Sequence, residues 1–91
     1  MVSTISLADY LRKASERLPD EAERVLKTLL ESGSMNKEDL SLSARVKRAV
    51  LDHIIMQLYA LGLVEISTEG KSKICSATKL GDEFYSLVKA G

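Results

Sequence analysis

The chain has 91 residues, with 13 Lys and Arg against 13 Asp and Glu and a hydrophobic fraction of 45%. This length suits one small domain with a single core, and the balanced charge excludes a strong overall attraction to nucleic acid or membranes. The lone cysteine, Cys75, excludes an intrachain disulfide and a cysteine-cluster metal site. Because no apolar run can span a bilayer and the N-terminus lacks a signal-peptide pattern, we expect a cytoplasmic protein without membrane insertion.

The first predicted helix is amphipathic and begins at an N-cap. Ser6 is a good N-cap, and Asp9 follows three residues later as in a short capping box. The apolar positions that share one face are Leu7, Tyr10, Leu11, Ala14 and Leu18. Because Pro19 disfavours helical geometry in the residue before it, this helix is expected to end at Leu18.

Pro19 predicts the start of a second helix, since its fixed φ suits the first helical position. The core stripe of this helix is predicted to be Val25, Leu26, Leu29 and Leu30. Gly33 follows at the position of a left-handed cap. Met35 is then a candidate for one short strand-like contact.

A short helix, KEDLSLSA, is capped by Asn36, and its end is ambiguous. In one register it stops near Leu42, and Ser43 caps a long helix. In the other it continues through Ala44, the chain turns over residues 45–47, and the long helix begins near Arg48. The second register is favoured because the apolar positions then form one coherent stripe. That stripe comprises Leu51, Ile54, Ile55, Leu58 and Leu61.

After Gly62 the pattern changes from helical to strand-like. Residues 63–66 alternate as a half-buried strand, residues 68–72 are polar around a glycine as in a hairpin tip, and residues 73–77 form the returning strand. Thr78 then caps a last helix. The predicted fold class is mainly α with a small β-hairpin (α+β), in the order α-α-α-α-β-β-α.

Two short motifs frame the hairpin. The long helix closes on Gly62-Leu63, and Thr78-Lys79-Leu80-Gly81 opens the last helix with a Thr-x-x-Gly pattern. Together with the order of the elements, these motifs resemble the winged helix-turn-helix superfamily, in particular small transcriptional regulators of bacteria and archaea. The resemblance covers residues 20–90. It implies one winged-helix domain over residues 1–91, with residues 1–18 as an N-terminal helical extension.

The resemblance implies a recognition helix near residues 44–61 in the major groove of double-stranded DNA, and a wing at residues 67–73 against the flanking backbone or minor groove. The predicted DNA-binding residues are Ser43, Arg45, Lys47, Arg48, Lys71 and Lys73. Arginine can read guanine with two hydrogen bonds, and lysine neutralises phosphate. The alternative is that these cations only solvate a helix start and a hairpin tip. Asp52 opposes phosphate unless it pairs with Arg48 or accepts from a cytosine amino group.

A second surface is predicted on the side of the long helix away from its core stripe. Met56 and Tyr59 project there, and such an apolar cluster should be covered. The candidate cover is the first helix, either of the same chain or across a two-fold axis. We favour a homodimer, because two-fold dimers are common and match palindromic DNA sites. The predicted dimer or helix-packing residues are Leu7, Tyr10, Leu11, Met56 and Tyr59.

The sequence does not predict an enzyme, a cofactor or a metal site. It contains no paired carboxylates, Cys/His constellation or glycine-rich phosphate loop, and Ser41 and Ser43 lack a base partner. One hypothesis is a DNA-binding transcriptional regulator, which the basic front of the long helix favours. The alternative is a protein-interaction module or adaptor in a replication, transcription or membrane-remodelling assembly, since this fold is often reused without DNA contact. The neutral net charge and the Met56 and Tyr59 cluster favour that alternative.

Overall fold

The computed structural model of the protein describes residues 6–90. Its elements are α1 (Leu7–Arg17), α2 (Asp20–Ser32), β1 (Met35–Asn36), α3 (Lys37–Ala44), α4 (Arg48–Ala60), β2 (Val64–Glu69), β3 (Ser72–Ala77) and α5 (Lys79–Ala90). This order confirms the predicted α+β winged helix. The short strand-like contact expected at Met35 is also confirmed, as the two-residue strand β1. The predicted domain limits include residues 1–5 and 91, which lie outside the described residues. Within residues 6–90, no helix is both long and apolar enough to cross a membrane.

Side-chain caps set the starts of α1 and α3. The hydroxyl oxygen of Ser6 accepts a hydrogen bond from the amide of Asp9 at 3.1 Å. The side-chain oxygen of Asn36 accepts one from the amide of Asp39 at 2.8 Å. Both caps confirm the sequence predictions. Pro19 separates α1 from α2, as its restriction of the preceding residue requires.

The strands form one antiparallel sheet in the order β1-β3-β2. The short strand β1 pairs with β3, so that Met35 lies opposite Cys75. Because α3 begins directly after β1, this pairing sets the first turn of α3 beside the hairpin. The strand therefore brings together parts of the chain that are far apart in sequence.

The β2–β3 hairpin has a shorter tip than the sequence predicted. Its strands remain paired out to Glu69 opposite Ser72, so the predicted tip over residues 68–72 is too long. The turn consists of Gly70 and Lys71. Gly70 has a φ of 60° while Lys71 is not among the residues with positive φ, which is the pattern of a type II′ hairpin turn.

One continuous core joins the helices to the sheet. Its largest fully buried side chains are Leu26, Leu40, Leu51, Ile54, Ile55, Leu58, Leu63, Val25, Val64 and Cys75. The α4 stripe is confirmed at Leu51, Ile54, Ile55 and Leu58, whereas Leu61 is partly buried. Full burial of such a side chain contributes about 1.5–3 kcal/mol, so α4 is held mainly by this one face.

The apolar face predicted for α1 is buried only in part. Leu11 is 3% exposed and belongs to the core, whereas Leu7 and Tyr10 are 54% and 47% exposed. The helix packs against α5, while Leu7 and Tyr10 in its first turn remain exposed to solvent. Among the described residues of α1, Leu11 is thus the one buried anchor.

Hydrogen bonds join the end of α4 to the start of α5. The Thr78 hydroxyl donates to the carbonyl oxygen of Gly62 at 2.7 Å and accepts from the amide of Gly81 at 2.9 Å. The amide of Thr78 also donates to the carbonyl oxygen of Leu63 at 3.0 Å. The predicted cap at Thr78 is therefore confirmed, and the same hydroxyl ties the two framing motifs together.

We predict that Gly81→Ala lowers the free energy of unfolding by about 1–3 kcal/mol, the usual cost of overpacking. A Cβ atom at Gly81 collides with the backbone carbonyl oxygen of Leu63, which accepts a hydrogen bond from the amide of Thr78. Urea denaturation measures the change. The control is Ser86→Ala at an exposed position of the same helix, which should stay within about 0.5 kcal/mol of the wild type. Equal stability of the two variants would contradict the close packing.

Candidate nucleic-acid interface

A three-residue turn, residues 45–47, connects α3 to α4. The favoured register is confirmed, because α3 ends at Ala44 and α4 begins at Arg48. The predicted recognition helix over residues 44–61 is too long at its start. Arg45 is the C-cap of α3 and Lys47 is the N-cap of α4, so both precede the helix.

Arg45 occupies the position in this turn that a glycine would suit. Its φ of 57° and ψ of 48° are left-handed, a conformation that costs a residue with a Cβ about 1–2 kcal/mol. Two hydrogen bonds between Ser41 and Val46 stabilise the turn. The Ser41 hydroxyl donates to the carbonyl oxygen of Val46 at 2.6 Å, and the amide of Val46 donates to the carbonyl oxygen of Ser41 at 3.1 Å. The Arg24 guanidinium donates to the carbonyl oxygen of Arg45 at 3.3 Å.

An open groove lies between the start of α4, the start of α3 and the hairpin. We call it the hairpin-side groove, and it is lined by Asn36, Lys37, Glu38, Arg48, Asp52, Lys71, Ser72 and Lys73. It brings together three of the predicted DNA-binding residues, namely Arg48, Lys71 and Lys73. Lys37 is a fourth cation, so the basic side chains outnumber the acidic ones and the groove favours an anion.

Asp52 lies between two of these cations. Its Oδ1 atom is 3.3 Å from Nζ of Lys37 and 3.9 Å from Nε of Arg48. The pairing with Arg48 that the sequence allowed therefore forms, and Lys37 is a second partner. Because the Asp52 and Arg48 side chains are about half exposed, solvent screens these pairs, and they orient the side chains more than they stabilise the fold.

A second basic surface lies where α2 meets the turn. We call it the α2-side strip, and it comprises Arg24, Lys27, Arg45 and Lys47. Arg24 and Arg45 line two adjoining depressions, of which one also contains Lys27 and Ser43 and the other Lys47. Ser43, Arg45 and Lys47 thus lie together, but they share no depression with the hairpin-side groove. Within residues 6–90, the strip side chains form no ion pairs.

Met56 and Tyr59 remain uncovered on α4. They are 55% and 46% exposed, while α1 packs against α5. Cover by the first helix of the same chain, one of the two predicted alternatives, is therefore wrong, because the buried Leu11 directs α1 to another face of the domain. Of the five predicted packing residues, Leu11 is buried in the core and the other four are exposed.

Cys75 is buried in the centre of the sheet and is no candidate nucleophile. Burial raises the pKa of its thiol, and the nearby Lys37 ammonium lowers it to a smaller extent. The thiol is therefore protonated at neutral pH. Within residues 6–90, no group of three or more His, Cys, Asp or Glu side chains is arranged to hold a metal ion.

Comparison with known families places this domain. The family model described as TFIIE alpha subunit matches residues 7–79, which extend from the start of α1 to the start of α5. The chain belongs to the TFIIE alpha subunit family. Both basic surfaces lie inside the matched segment of this TFIIE alpha family member. Among curated proteins, none matches its sequence significantly.

The fold of this TFIIE alpha family member is similar to that of several solved bacterial proteins. BpsR of Bordetella bronchiseptica, whose DNA binding is regulated by 6-hydroxynicotinic acid, has a TM-score of 0.72 at 20% identity over 89% of this chain and 74% of BpsR. YusO of Bacillus subtilis has a TM-score of 0.76 at 20% identity, over 88% of this chain and 60% of YusO. A mutant of TubR, a type III plasmid segregation protein, has a TM-score of 0.74 at 21% identity, over 99% and 96% of the two chains. These likenesses confirm the winged-helix fold.

Sequence reasoning missed three basic residues of these surfaces: Lys37, Arg24 and Lys27. Lys37 reaches Asp52 because β1 pairs with β3, and a two-residue strand leaves little trace in the sequence. Arg24 and Lys27 are three residues apart and lie outside the apolar stripe of α2, so their shared exposed face was readable. Their position beside Arg45 could not be predicted from the sequence, because it depends on the left-handed conformation of the turn.

We predict that Arg45→Gly raises the free energy of unfolding by up to about 1 kcal/mol, because glycine adopts the left-handed conformation without a Cβ clash. Arg45→Ala is the matched control. It removes the same guanidinium but keeps the Cβ, so its stability should equal or fall below that of the wild type. Thermal and urea denaturation measure both variants. A glycine variant no more stable than the alanine variant would show that the turn carries no strain.

Proposed function

We propose that this chain binds double-stranded DNA and regulates transcription, with α4 in the major groove and the β2–β3 hairpin as the wing. The observation that carries the proposal is the convergence of Arg48, Lys71 and Lys73 with Lys37 in the hairpin-side groove, beside the start of α4. Lys and Arg side chains bind the phosphate backbone by releasing its counterions. The family membership and the likeness of the fold to BpsR, a protein with regulated DNA binding, support the proposal.

Each predicted DNA-binding residue has a role in this proposal. Arg48, in the first turn of α4, reads a base edge, since a guanidinium binds guanine with two hydrogen bonds. The lysines of the wing, Lys71 and Lys73, neutralise phosphates. Arg45 and Lys47 in the turn and Ser43 at the end of α3 contact the backbone from the other surface, Ser43 through its exposed hydroxyl.

Asp52 limits how strongly the hairpin-side groove attracts phosphate. Its contacts with Lys37 and Arg48 offset part of their charge in the unbound protein. The chain as a whole has no net charge, so the long-range attraction to DNA is also weak. Affinity for arbitrary sequences is therefore modest, and base contacts decide where the protein binds.

A second candidate function is that of a protein-interaction module. The exposed Met56 and Tyr59 side chains favour it, since α4 presents apolar side chains on the surface that a recognition helix turns to DNA. In that case the partner covers α4, and the basic surfaces serve solubility. The two functions differ in whether the isolated protein binds DNA at low salt.

We also propose that the protein acts as a homodimer in the cytoplasm. A two-fold dimer suits a palindromic DNA site. The exposed Leu7 and Tyr10 side chains of α1 offer a surface for it that leaves α4 free to enter the major groove, whereas an interface through Met56 and Tyr59 would cover α4 and exclude that role. The only cysteine is a buried free thiol, which is compatible with a reducing compartment.

We predict that Arg48→Gln/Lys73→Gln weakens binding to mixed-sequence duplex DNA and makes it less sensitive to salt. Each lost phosphate contact should reduce the slope of log affinity against log salt by about 0.9, and a lost base contact adds to the loss of affinity. Fluorescence anisotropy over a salt series measures both quantities.

The control variant is Lys13→Gln/Arg17→Gln, which removes the same charge from exposed positions of α1. Its affinity and salt slope should match those of the wild type. If the wild type shows no binding at low salt, the DNA-binding proposal fails and the interaction module becomes the better account.

We predict that light scattering gives a mass near twice the 10.0 kDa chain mass at micromolar concentration. Leu7→Gln/Tyr10→Gln tests the α1 surface, and Met56→Gln/Tyr59→Gln tests the α4 surface. Because all four side chains are exposed, neither pair should unfold the domain, and the pair that lies in the interface should shift the mass to that of a monomer. A monomeric wild type would overturn the dimer.

A further inference from the structure

The two basic surfaces lie on opposite flanks of the start of α4. Arg48 and Asp52, four residues apart, line the hairpin-side groove. Val50 of the same helix turn lines the depression that holds Arg24, Arg45 and Lys47. Positions 48 and 50 are about 200° apart around a helix, so the flanks point in different directions. One helix end is therefore bordered by cations on both sides.

This arrangement matches the dimensions of duplex DNA. An α-helix with its side chains is about 10–12 Å in diameter, and the major groove is about 12 Å wide and bounded by two phosphate backbones. A helix that enters the groove therefore turns its flanks toward different strands.

We propose that the α2-side strip is a second phosphate-binding surface, which contacts the DNA strand opposite to the one held by the hairpin-side groove. The inference rests on the proposed function and deepens it. It adds Arg24 and Lys27 of α2, outside the helix-turn-helix segment and the wing, to the DNA-contacting residues. The protein thus contacts the phosphate backbones of both strands that border the major groove.

The geometry of Arg24 supports its role in this contact. Its guanidinium donates to the backbone carbonyl oxygen of Arg45 at 3.3 Å, which holds its charge beside that of Arg45. Lys27 follows one turn later on the same exposed face of α2. Glu31 lines one depression and Glu21 the other, so each depression has three basic side chains and one acidic side chain and still favours an anion.

The test uses Arg24→Gln/Lys27→Gln in the full chain, with Lys13→Gln/Arg17→Gln as the control of equal charge. We expect the strip variant to lose about tenfold or more in affinity for every duplex sequence tested, and its salt slope to fall by about two. The order of preference among sequences should stay the same. The single variant Lys27→Gln keeps the hydrogen bond to Arg45 and should show about half of the slope change.

Phosphate ethylation interference then assigns the strands. In the wild type, ethylation should interfere on both rims of the groove. Arg24→Gln/Lys27→Gln should lose the interference on one strand, and Lys71→Gln/Lys73→Gln on the other. A strip variant with wild-type slope and interference, or two variants that lose the same strand, would overturn the inference and leave the proposed function standing. A wild type that binds no duplex would overturn both.

Discussion

The contact between the turn after α4 and the start of α5 is the constraint on which the winged helix depends. A single hydroxyl, that of Thr78, holds the carbonyl of Gly62 and the amide of Gly81, and each such hydrogen bond contributes about 1 kcal/mol. The same contact brings the two ends of the hairpin together, since Val64 lies opposite Ala77. The base of the hairpin is therefore fixed, and the hydrogen bonds at this base set the direction of the whole hairpin relative to α4. This junction therefore sets the position of Lys71 and Lys73 in the hairpin-side groove, whereas the α2-side strip depends on the turn at Arg45.

A protein without net charge can still present strongly basic surfaces if the fold separates its charges. In this chain the hairpin-side groove collects cations from α3, α4 and the hairpin, and the α2-side strip collects them from α2 and the turn. Most acidic residues are elsewhere, although Glu38 and Asp52 line the groove and Glu31 and Glu21 line the two depressions of the strip. Of these four, Asp52 is the one that forms ion pairs within residues 6–90. Because Asp52 lies between Lys37 and Arg48, the groove attracts a phosphate only at short range, since the field of a paired charge falls off quickly in salt solution.

Local sequence signals predicted most of the fold, and long-range contacts account for what they missed. Caps at Ser6, Asn36 and Thr78 act within one helical turn, so their residue types were enough to place the helix starts. The hairpin-side groove around Lys37 was not predictable in this way, because it depends on the pairing of β1 with β3. In that pairing Met35 lies opposite Cys75, which is 40 residues later in the sequence. The exposed Met56 and Tyr59 cluster was predicted correctly, but the packing direction of α1 was not. The packing direction of α1 depends on which neighbouring helix buries more of its apolar surface. The apolar periodicity of the α1 sequence does not reveal that neighbour.

The anchoring of α1 has a consequence for the motions of the domain. An isolated helix of 11 residues is marginal in water, and α1 adds one buried side chain, Leu11, to the core, with Ala14 packed against it in part. Burial of one leucine contributes about 1.5–3 kcal/mol, which is less than the stability of a typical small domain. We therefore expect detachment of α1 to cost less free energy than global unfolding, and α1 contributes no residue to either basic surface.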